Sequence, residues 1–260
     1  MYPKTYLVKI ENLCKGDSTV YIHTEDLWWR GVCSAINGLR SEGFERFIVQ
    51  CPVCARLSCW DGDRQVYCTD RKDNLFLLGD HQDTLEPIQN VDIKNLLEEN
   101  DNLGFIDDTR PYQVEAYADI AKDVASALGH APDIHIFTLI NQAIYIGIAR
   151  GYGDLLSEGK LEKIPLMVGT YVQGDTIDIT PEVSRIRDSI GGILEFVTRG
   201  EIQIASSSLE VDITGDLSGI TWLLQERDRI RKKKKTNYLT GDIIISNHTC
   251  DAYRKIFTLS

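Results

Sequence analysis

The fold is decided by residues 112–140, which read YQVEAYADIAKDVASALGHAPDIHIFTLI. Apolar side chains recur at helical spacing over Tyr112–Leu128, and Gly129 follows as a stop signal. The segment Ile134–Ile140 is almost wholly apolar, which is typical of a strand that is buried on both faces of a sheet. These residues therefore predict an amphipathic helix that leads into a central strand.

The same alternation of helices and strands extends in both directions from this stretch. A helix is predicted over about Gln142–Ser157, and a strand begins at Leu166. Further strands are predicted at Tyr6–Ile10, Val20–Ile22, Phe47–Val49 and Asp242–Ser246, and further helices at 29–39, 92–100 and Gly219–Lys234. Leu75–Leu78 is another apolar run, which Gly79 and Asp80 end. Such an alternation predicts α/β layers around a mostly parallel sheet.

The composition is that of a globular chain of 260 residues with 43% hydrophobic side chains. Its 28 basic and 39 acidic side chains leave a net charge of −11, whereas a protein that binds nucleic acid over its surface carries positive charge. No apolar run approaches the roughly 18 to 20 residues of a membrane-spanning helix, and the start at Met1 lacks the pattern of a secretory signal. We therefore expect a cytoplasmic protein without nucleic-acid or membrane partners.

Four of the seven cysteines form a cluster, namely Cys51, Cys54, Cys59 and Cys68. A reducing compartment would keep these thiols out of disulfides. One interpretation of the cluster is a metal site, although its second pair lacks the close spacing of a zinc ribbon. The other interpretation is that the cysteines are small apolar side chains packed around a strand, which the irregular spacing favours. We therefore predict no metal site, with metal binding by this cluster as the alternative.

Five short segments follow one another along the chain: KIENL at 9–13, RPYQVE at 110–115, GIARGY at 147–152, KIPLMVG at 163–169 and QG at 173–174. In this order they resemble segments of threonine synthase and its relatives, the fold type II (β-family) pyridoxal-phosphate enzymes. The resemblance implies an α/β fold with an open, mostly parallel sheet of the tryptophan-synthase-β-like kind. It further implies a large domain of residues 1–32 and 106–260, into which a reduced small domain, 33–105, is inserted.

The resemblance also implies a pyridoxal-phosphate site, but three of its parts are changed here. Within Asp26–Gly31, Trp28 stands where the family has the lysine that forms the Schiff base with the cofactor. The run Ile140–Ile144 stands where the family has a glycine loop for the cofactor phosphate, and it contains no glycine. The run Gln50–Cys54 replaces the family's substrate-carboxylate loop. We therefore expect no bound cofactor and no pyridoxal-phosphate catalysis.

Two groups of residues are candidates for ligand binding in the cleft that the cofactor would otherwise occupy. Trp28, Trp29 and Arg30 could form an aromatic and cationic floor for a ligand. Alternatively, the tryptophans fill the emptied cavity, which the close packing of protein interiors favours. Asn141 and Gln142 lie at a predicted helix N-terminus, where they could bind an anion or act as ordinary caps.

Among the five histidines, His248 is the best candidate for ligand binding, because it follows the last strand at the cleft position. His135 lies on an apolar strand and is expected to be a core residue with satisfied hydrogen bonds. No nucleophile, base and orienting group can be assembled from the sequence, so the catalytic residues stay unassigned.

Two functions remain open at this level. The favoured hypothesis is a catalytically degenerate threonine synthase-like pseudoenzyme that acts as a partner- or ligand-binding subunit, because no catalytic set replaces the one removed. The alternative is a cofactor-independent enzyme of specialised amino-acid-derived metabolism that uses the remodelled cleft. We expect a homodimer or a heterodimer with an active paralogue, and a small amino-acid-like or phosphorylated molecule as the ligand.

Overall fold

The computed structural model describes residues 7–10, 13, 18–25, 27–49, 66–69, 75–78, 85–88, 92–106, 111–139, 141–174, 179–208, 217–233 and 239–248. Contacts divide these residues into two compact units. The large unit contains the described residues of 1–27 and 117–250, and the small unit contains those of 28–116. The division into domains at 33 and 105 that the resemblance implies stays a prediction.

The strands in chain order are β1 (Leu7–Ile10), β2 (Ser18–Glu25), β3 (Arg46–Val49), β4 (Val66–Thr69), β5 (Leu75–Leu78), β6 (Leu85–Ile88), β7 (Leu103–Ile106), β8 (Ile134–Thr138), β9 (Leu166–Val172), β10 (Ile193–Val197) and β11 (Gly241–His248). The helices are α1 (Leu27–Ser41), α2 (Ile93–Glu98), α3 (Pro111–Leu128), α4 (Gln142–Ser157), α5 (Pro181–Ile190), α6 (Arg199–Ser208) and α7 (Ser218–Lys233).

The large unit is built on a six-stranded sheet with the order β1-β2-β11-β8-β9-β10. β1 runs antiparallel to β2, and every other pair of neighbours in this sheet is parallel. All five residues of β8 are buried, which explains why this strand is apolar throughout most of its length. The prediction of an α/β fold with a mostly parallel sheet is confirmed.

Helices pack closely against this sheet. One face carries an apolar cluster with α7, whose fully buried members include Val20, Ile22, Ile134, Ile136, Val168, Ile220, Leu223, Ile243 and Ile245. The other face is in contact with α4, where the rings of Phe137 and Tyr145 lie 5.6 Å apart. A Cβ atom at Gly151 would collide with the backbone carbonyl of Ala118, so a glycine is needed where α4 crosses α3.

The small unit has a five-stranded mixed sheet with the order β6-β5-β4-β3-β7. β3 runs parallel to β4 and β7, whereas β5 is antiparallel to both β4 and β6. Helix α1 packs on this unit's core through a cluster that includes Val32, Ile36, Leu39, Phe47 and Ile106. Of the cysteine cluster, Cys51, Cys54 and Cys59 and the side chain of Cys68 lie outside the described residues, so both interpretations of the cluster stay predictions.

Most of the predicted helices and strands are present in the structure, with small changes of length. The helix predicted over Gln142–Ser157 has the same bounds in the structure. The strand predicted at Val20–Ile22 is longer, Ser18–Glu25, because it pairs with β11 over its whole length. Strands β4, β6, β7 and β10 and helices α5 and α6 were not predicted. None of the helices in the described ranges is long and apolar enough to cross a membrane.

Candidate functional site

The large unit has five mutually parallel strands: β2, β8, β9, β10 and β11. Their carboxyl ends lie along the same end of the sheet, which is here called the carboxyl edge. Along the sheet the chain proceeds from β8 to β9 to β10, whereas β11 lies on the other side of β8. Open α/β sheets bind ligands at such a reversal, outside the carboxyl ends of the strands. Asn141 follows β8 and His248 is the last residue of β11, so the backbones of both predicted site residues lie at this edge.

Helix α4 begins at the carboxyl edge with a side-chain cap. Asn141 has an extended backbone (φ −154°, ψ 173°), and its Oδ1 accepts the N–H of Ile144 at 3.1 Å. Asn141 itself is buried, and Ala143 and Ile144 in the first turn of the helix are fully buried. The cap therefore occupies one of the amides that a helix N-terminus offers to an anion.

A second helix start, that of α7, lies against the ends of β8 and β9. The Oγ of Ser218 is 2.9 Å from the Oγ1 of Thr170 and 3.4 Å from the Oγ1 of Thr138. All three hydroxyl side chains are buried. The close approach depends on Gly219, because a Cβ atom there would lie only 3.0 to 3.1 Å from methyl groups of β8 and β11.

Four buried side chains of the large unit form what we call the polar chain: Tyr152, His135, Ser246 and His23. The hydroxyl of Tyr152 on α4 is 2.8 Å from Nδ1 of His135 on β8. Nε2 of His135 is 2.8 Å from the Oγ of Ser246 on β11, and that Oγ is 2.8 Å from Nδ1 of His23 on β2. The polar chain therefore crosses three neighbouring strands just below the carboxyl edge, since β2 and β11 each end two residues after His23 and Ser246.

Burial dominates the electrostatics of the polar chain. Desolvation, with a smaller contribution from His23, lowers the pKa of His135 from its usual 6.5 to about 3, so this imidazole is neutral at neutral pH. Desolvation also raises the pKa of Tyr152 well above its usual 10.0. The expectation that His135 is a core residue with satisfied hydrogen bonds is confirmed, because both of its ring nitrogens have partners.

The predicted site residues do not all fall in one unit. Asn141, Gln142 and His248 belong to the large unit, whereas Trp28, Trp29 and Arg30 belong to the small unit and lie in α1. Gln142 is half-buried, and the side chains of Trp28, Trp29 and His248 lie outside the described residues.

Arg30 is almost completely buried, and its Nη1 donates to the carbonyl oxygen of Ala116 at 3.3 Å within the small unit. The aromatic-floor and cavity-filling interpretations of Trp28 and Trp29 both stay predictions. In the described part of the chain, no group of three or more His, Cys, Asp or Glu side chains is placed to hold a metal ion.

The sequence did not predict that the four residues of the polar chain lie together. His135 was predicted only as a core residue, and Tyr152, Ser246 and His23 were not among the predicted site residues. The available signal was a polar residue beside or within a short apolar run of three central strands: His23 after Val20–Ile22 in β2, His135 between Ile134 and Ile136 in β8, and Ser246 after Ile243–Ile245 in β11. Only the strand order, which makes β11 the neighbour of both β2 and β8, brings these three side chains together.

No protein-family profile and no curated protein matches the sequence. Solved structures nevertheless match the fold at low sequence identity. Diaminopropionate ammonia lyase of Escherichia coli, in its apo form, matches with a TM-score of 0.65 at 10% identity, over 98% of this chain and 85% of that chain. L-serine ammonia-lyase of Rhizomucor miehei matches with a TM-score of 0.64 at 8% identity, over 100% of this chain and 98% of that chain.

A hydrogen sulfide-producing enzyme of Fusobacterium nucleatum matches with a TM-score of 0.66 at 14% identity, over 96% of each chain. These three neighbours are fold type II pyridoxal-phosphate enzymes. The chain described here therefore has the α/β fold, with a mostly parallel sheet, of the fold type II pyridoxal-phosphate enzymes.

Proposed function

We propose that this protein is a degenerate relative of threonine synthase that has lost pyridoxal-phosphate binding and acts as a partner- or ligand-binding subunit in the cytoplasm. The fold alone does not assign this role, because one fold carries many functions. Support comes from the residues at the positions where a fold type II enzyme would hold its cofactor.

The observation that carries the proposal is the start of α4. A pyridoxal phosphate supplies an electron-withdrawing ring to its substrate when it is bound, and in this fold its phosphate needs open backbone amides at a helix N-terminus. Here Asn141 Oδ1 takes the N–H of Ile144 at 3.1 Å, and the side chains of Ala143 and Ile144 are buried where a glycine loop has none. These residues do not fit a phosphate cradle.

The amine that would bind the cofactor covalently is missing as well. Trp28 stands at the lysine position, and an indole cannot form an imine. Lys160 and Lys163 lie between α4 and β9, at the end of the sheet opposite to the carboxyl edge, and Lys163 is paired with Asp133. The residues present therefore do not fit pyridoxal phosphate, and we derive no reaction step through it.

Support for a partner-binding role comes from the surface of the large unit. Strand β10 is the last strand at one side of its sheet among the described strands. Its Phe196 is 50% exposed and packs against the ring of Tyr171, with 6.2 Å between the ring centroids. On α6, the helix that follows, Ile204 is 71% exposed. Exposed apolar side chains at a sheet edge suit association with a second chain, either another copy or an active paralogue.

A titration with pyridoxal phosphate tests the loss of cofactor binding. The purified protein is dialysed against the cofactor, reduced with borohydride and measured by intact mass, with a fold type II enzyme treated in parallel. We expect an unchanged mass for this protein and one added cofactor for the enzyme.

The variant Trp28→Lys is the matched control, because it restores an amine while leaving the capped start of α4 in place. Cofactor trapped on the variant alone would assign the loss to the missing lysine. One cofactor trapped on each unmodified chain would overturn the proposal.

The alternative, a cofactor-independent enzyme of specialised amino-acid-derived metabolism, is favoured by one observation. Ser246 lies within hydrogen-bond distance of His135, which Tyr152 in turn contacts, and this is the arrangement of a nucleophile, a base and an orienting group. Against it, Ser246 is only 1% exposed. Labelling by a fluorophosphonate that disappears in Ser246→Ala would favour the enzyme, whereas an unlabelled chain would favour the binding subunit.

A further inference from the structure

The outer edge of β10 is the side of this strand that faces away from β9. The carbonyl of Val197 accepts the N–H of Gln173, which follows β9, at 2.8 Å, so the backbone groups of Val197 point towards β9. Successive residues of a strand point these groups to opposite sides, so those of Leu194 and Phe196 point outwards. Because β10 is the last strand of its sheet among the described strands, it offers two N–H and two C=O groups to a further strand.

The side chains along this edge differ between the two faces of the sheet. Ile193 and Val197 pack in the apolar cluster with α7, so Glu195 between them lies on the same face. Phe196 therefore lies on the other face, where it is half exposed and its ring extends a row that begins with Tyr171 on β9. Glu195 is half-buried and has no salt-bridge partner among the described residues. A strand added here would therefore meet an aromatic ring on one face and a carboxylate on the other.

The carboxylate of Glu195 determines which kind of chain suits this edge. Two copies could use all their outward backbone groups only in an antiparallel register with Leu194 opposite Phe196. This register places the Glu195 side chains of the two copies directly opposite each other, and such an opposition of like charges destabilises a sheet. The net charge of −11 adds to the repulsion between copies. A basic side chain in the added strand would instead be attracted to Glu195, so the edge suits a different chain better than a second copy.

We infer that the outer edge of β10 binds an extended segment of a different protein as a further strand, with an apolar side chain beside Phe196 and a lysine or arginine beside Glu195. The outward backbone groups of Leu194 and Phe196 hold the main chain of this segment. The alternation of apolar and basic side chains makes the binding selective. This inference rests on the partner-binding role proposed above, and it adds the position of the interface and the chemistry of the partner.

A synthetic peptide of alternating valine and lysine tests this docking surface on the unmodified, 15N-labelled protein. We expect saturable changes in the amide signals of Leu194 and Phe196 and slower hydrogen exchange of both, because their N–H groups acquire acceptors. The same peptide with every backbone amide N-methylated is the matched control. It keeps the charge and the side chains but cannot donate backbone hydrogen bonds, so it should leave both signals unchanged.

A second peptide, with glutamate in place of lysine, tests the selection by charge. The unmodified protein should prefer the lysine peptide, whereas Glu195→Lys should bind the glutamate peptide about two- to fivefold more tightly than the lysine peptide. Glu162→Lys is the matched control, because it makes the same charge change at an exposed residue before β9. It should keep the preference for lysine. An equal reversal in both variants would assign the preference to the net charge of the chain and overturn the pairing with Glu195.

The docking surface is wrong if the lysine peptide leaves Leu194 and Phe196 unchanged, or if the N-methylated peptide changes them equally. It is also wrong if the same signals change when the protein alone is concentrated, because a second copy would then be the occupant. Should Glu195→Lys not fold, the two peptides on the unmodified protein still decide the outcome. Pyridoxal phosphate trapped on the protein would refute the proposed loss of the cofactor without affecting these titrations, so the two failures are distinguishable.

Discussion

Acidification from about pH 7 to about pH 5 is expected to destabilise this protein mainly through His135. The imidazole is fully buried, and among the described residues its ring nitrogens contact the hydroxyls of Tyr152 and Ser246 rather than a carboxylate that could compensate a positive charge. Burial lowers its pKa to about 3 in the folded state, whereas the unfolded chain has the ordinary value of 6.5. Protons are therefore taken up more readily by the unfolded chain, and its population rises as the pH falls.

The sign and the size of this pH effect follow from the pKa of His135 in the unfolded and in the folded chain. A group with a lowered folded-state pKa contributes its full stability above the unfolded value of 6.5, and it loses that stability as the pH falls towards about 3. One pKa unit corresponds to about 1.4 kcal/mol, and pH 5 lies about 1.5 units below the unfolded value, so the loss is about 2 kcal/mol. Asp133 and Glu201 have lowered pKa values as well, but their contributions are lost only below their usual 3.8 and 4.5.

Urea unfolding at a series of pH values between these limits measures the effect. The free energy of unfolding of the unmodified protein should fall by about 2 kcal/mol, and the variant His135→Gln, although less stable at neutral pH, should show a flatter dependence. His130→Gln is the control, because it removes a half-exposed histidine whose partner is Asp242. An unchanged stability between pH 7 and pH 5, or an equal loss in His135→Gln, would refute the reasoning.

Three further predictions follow from single contacts. Asn141→Ala should lower the free energy of unfolding by about 1 kcal/mol in urea, because it removes the cap on the N–H of Ile144. Phosphate that stabilised only the unmodified protein would instead make Asn141 an anion ligand. Gly151→Ala should cost about 1 to 3 kcal/mol by the same measurement, because its Cβ atom would meet the carbonyl of Ala118. Size-exclusion chromatography with light scattering should find a homodimer, or a heterodimer when an active paralogue is present. A strict monomer under all conditions would contradict the partner-binding role.

Much of the large unit could be predicted from local patterns. The amphipathic period over Tyr112–Leu128 and the apolar run from Ile134 predict α3 and β8, because the positions that are buried in each element are also the apolar ones. The bounds of α4 agree because the apolar period starts directly after a cap residue, Asn141, and stops at the polar segment after Ser157. The resemblance to threonine synthase added the arrangement of these elements in a fold type II sheet.

The elements that were missed are those with little local pattern. Strands β4 and β6 have four residues each, which is only two periods of the strand alternation, and Pro87 lies within β6. Helix α5 has good end signals in Thr180, Pro181 and Gly191, but its exposed surface leaves only Val183 buried and therefore gives a weak apolar period.

The polar chain could not be predicted, because it depends on contacts between distant parts of the sequence. His23 and Ser246 are separated by 223 positions, and His135 and Ser246 by 111. No spacing rule relates such residues, and the strand order that makes them neighbours is a property of the folded sheet. A buried polar residue in an apolar strand can be recognised from the sequence, but its partner cannot.

The most direct test of the central claim is native mass spectrometry of the protein purified without added cofactor. We predict the mass of the bare chain or of its dimer, unchanged when pyridoxal phosphate is added. This follows from the proposed placement of Trp28 at the lysine position and from the Asn141 cap at the start of α4. One pyridoxal phosphate retained per chain would contradict the claim that this fold has been kept without its cofactor.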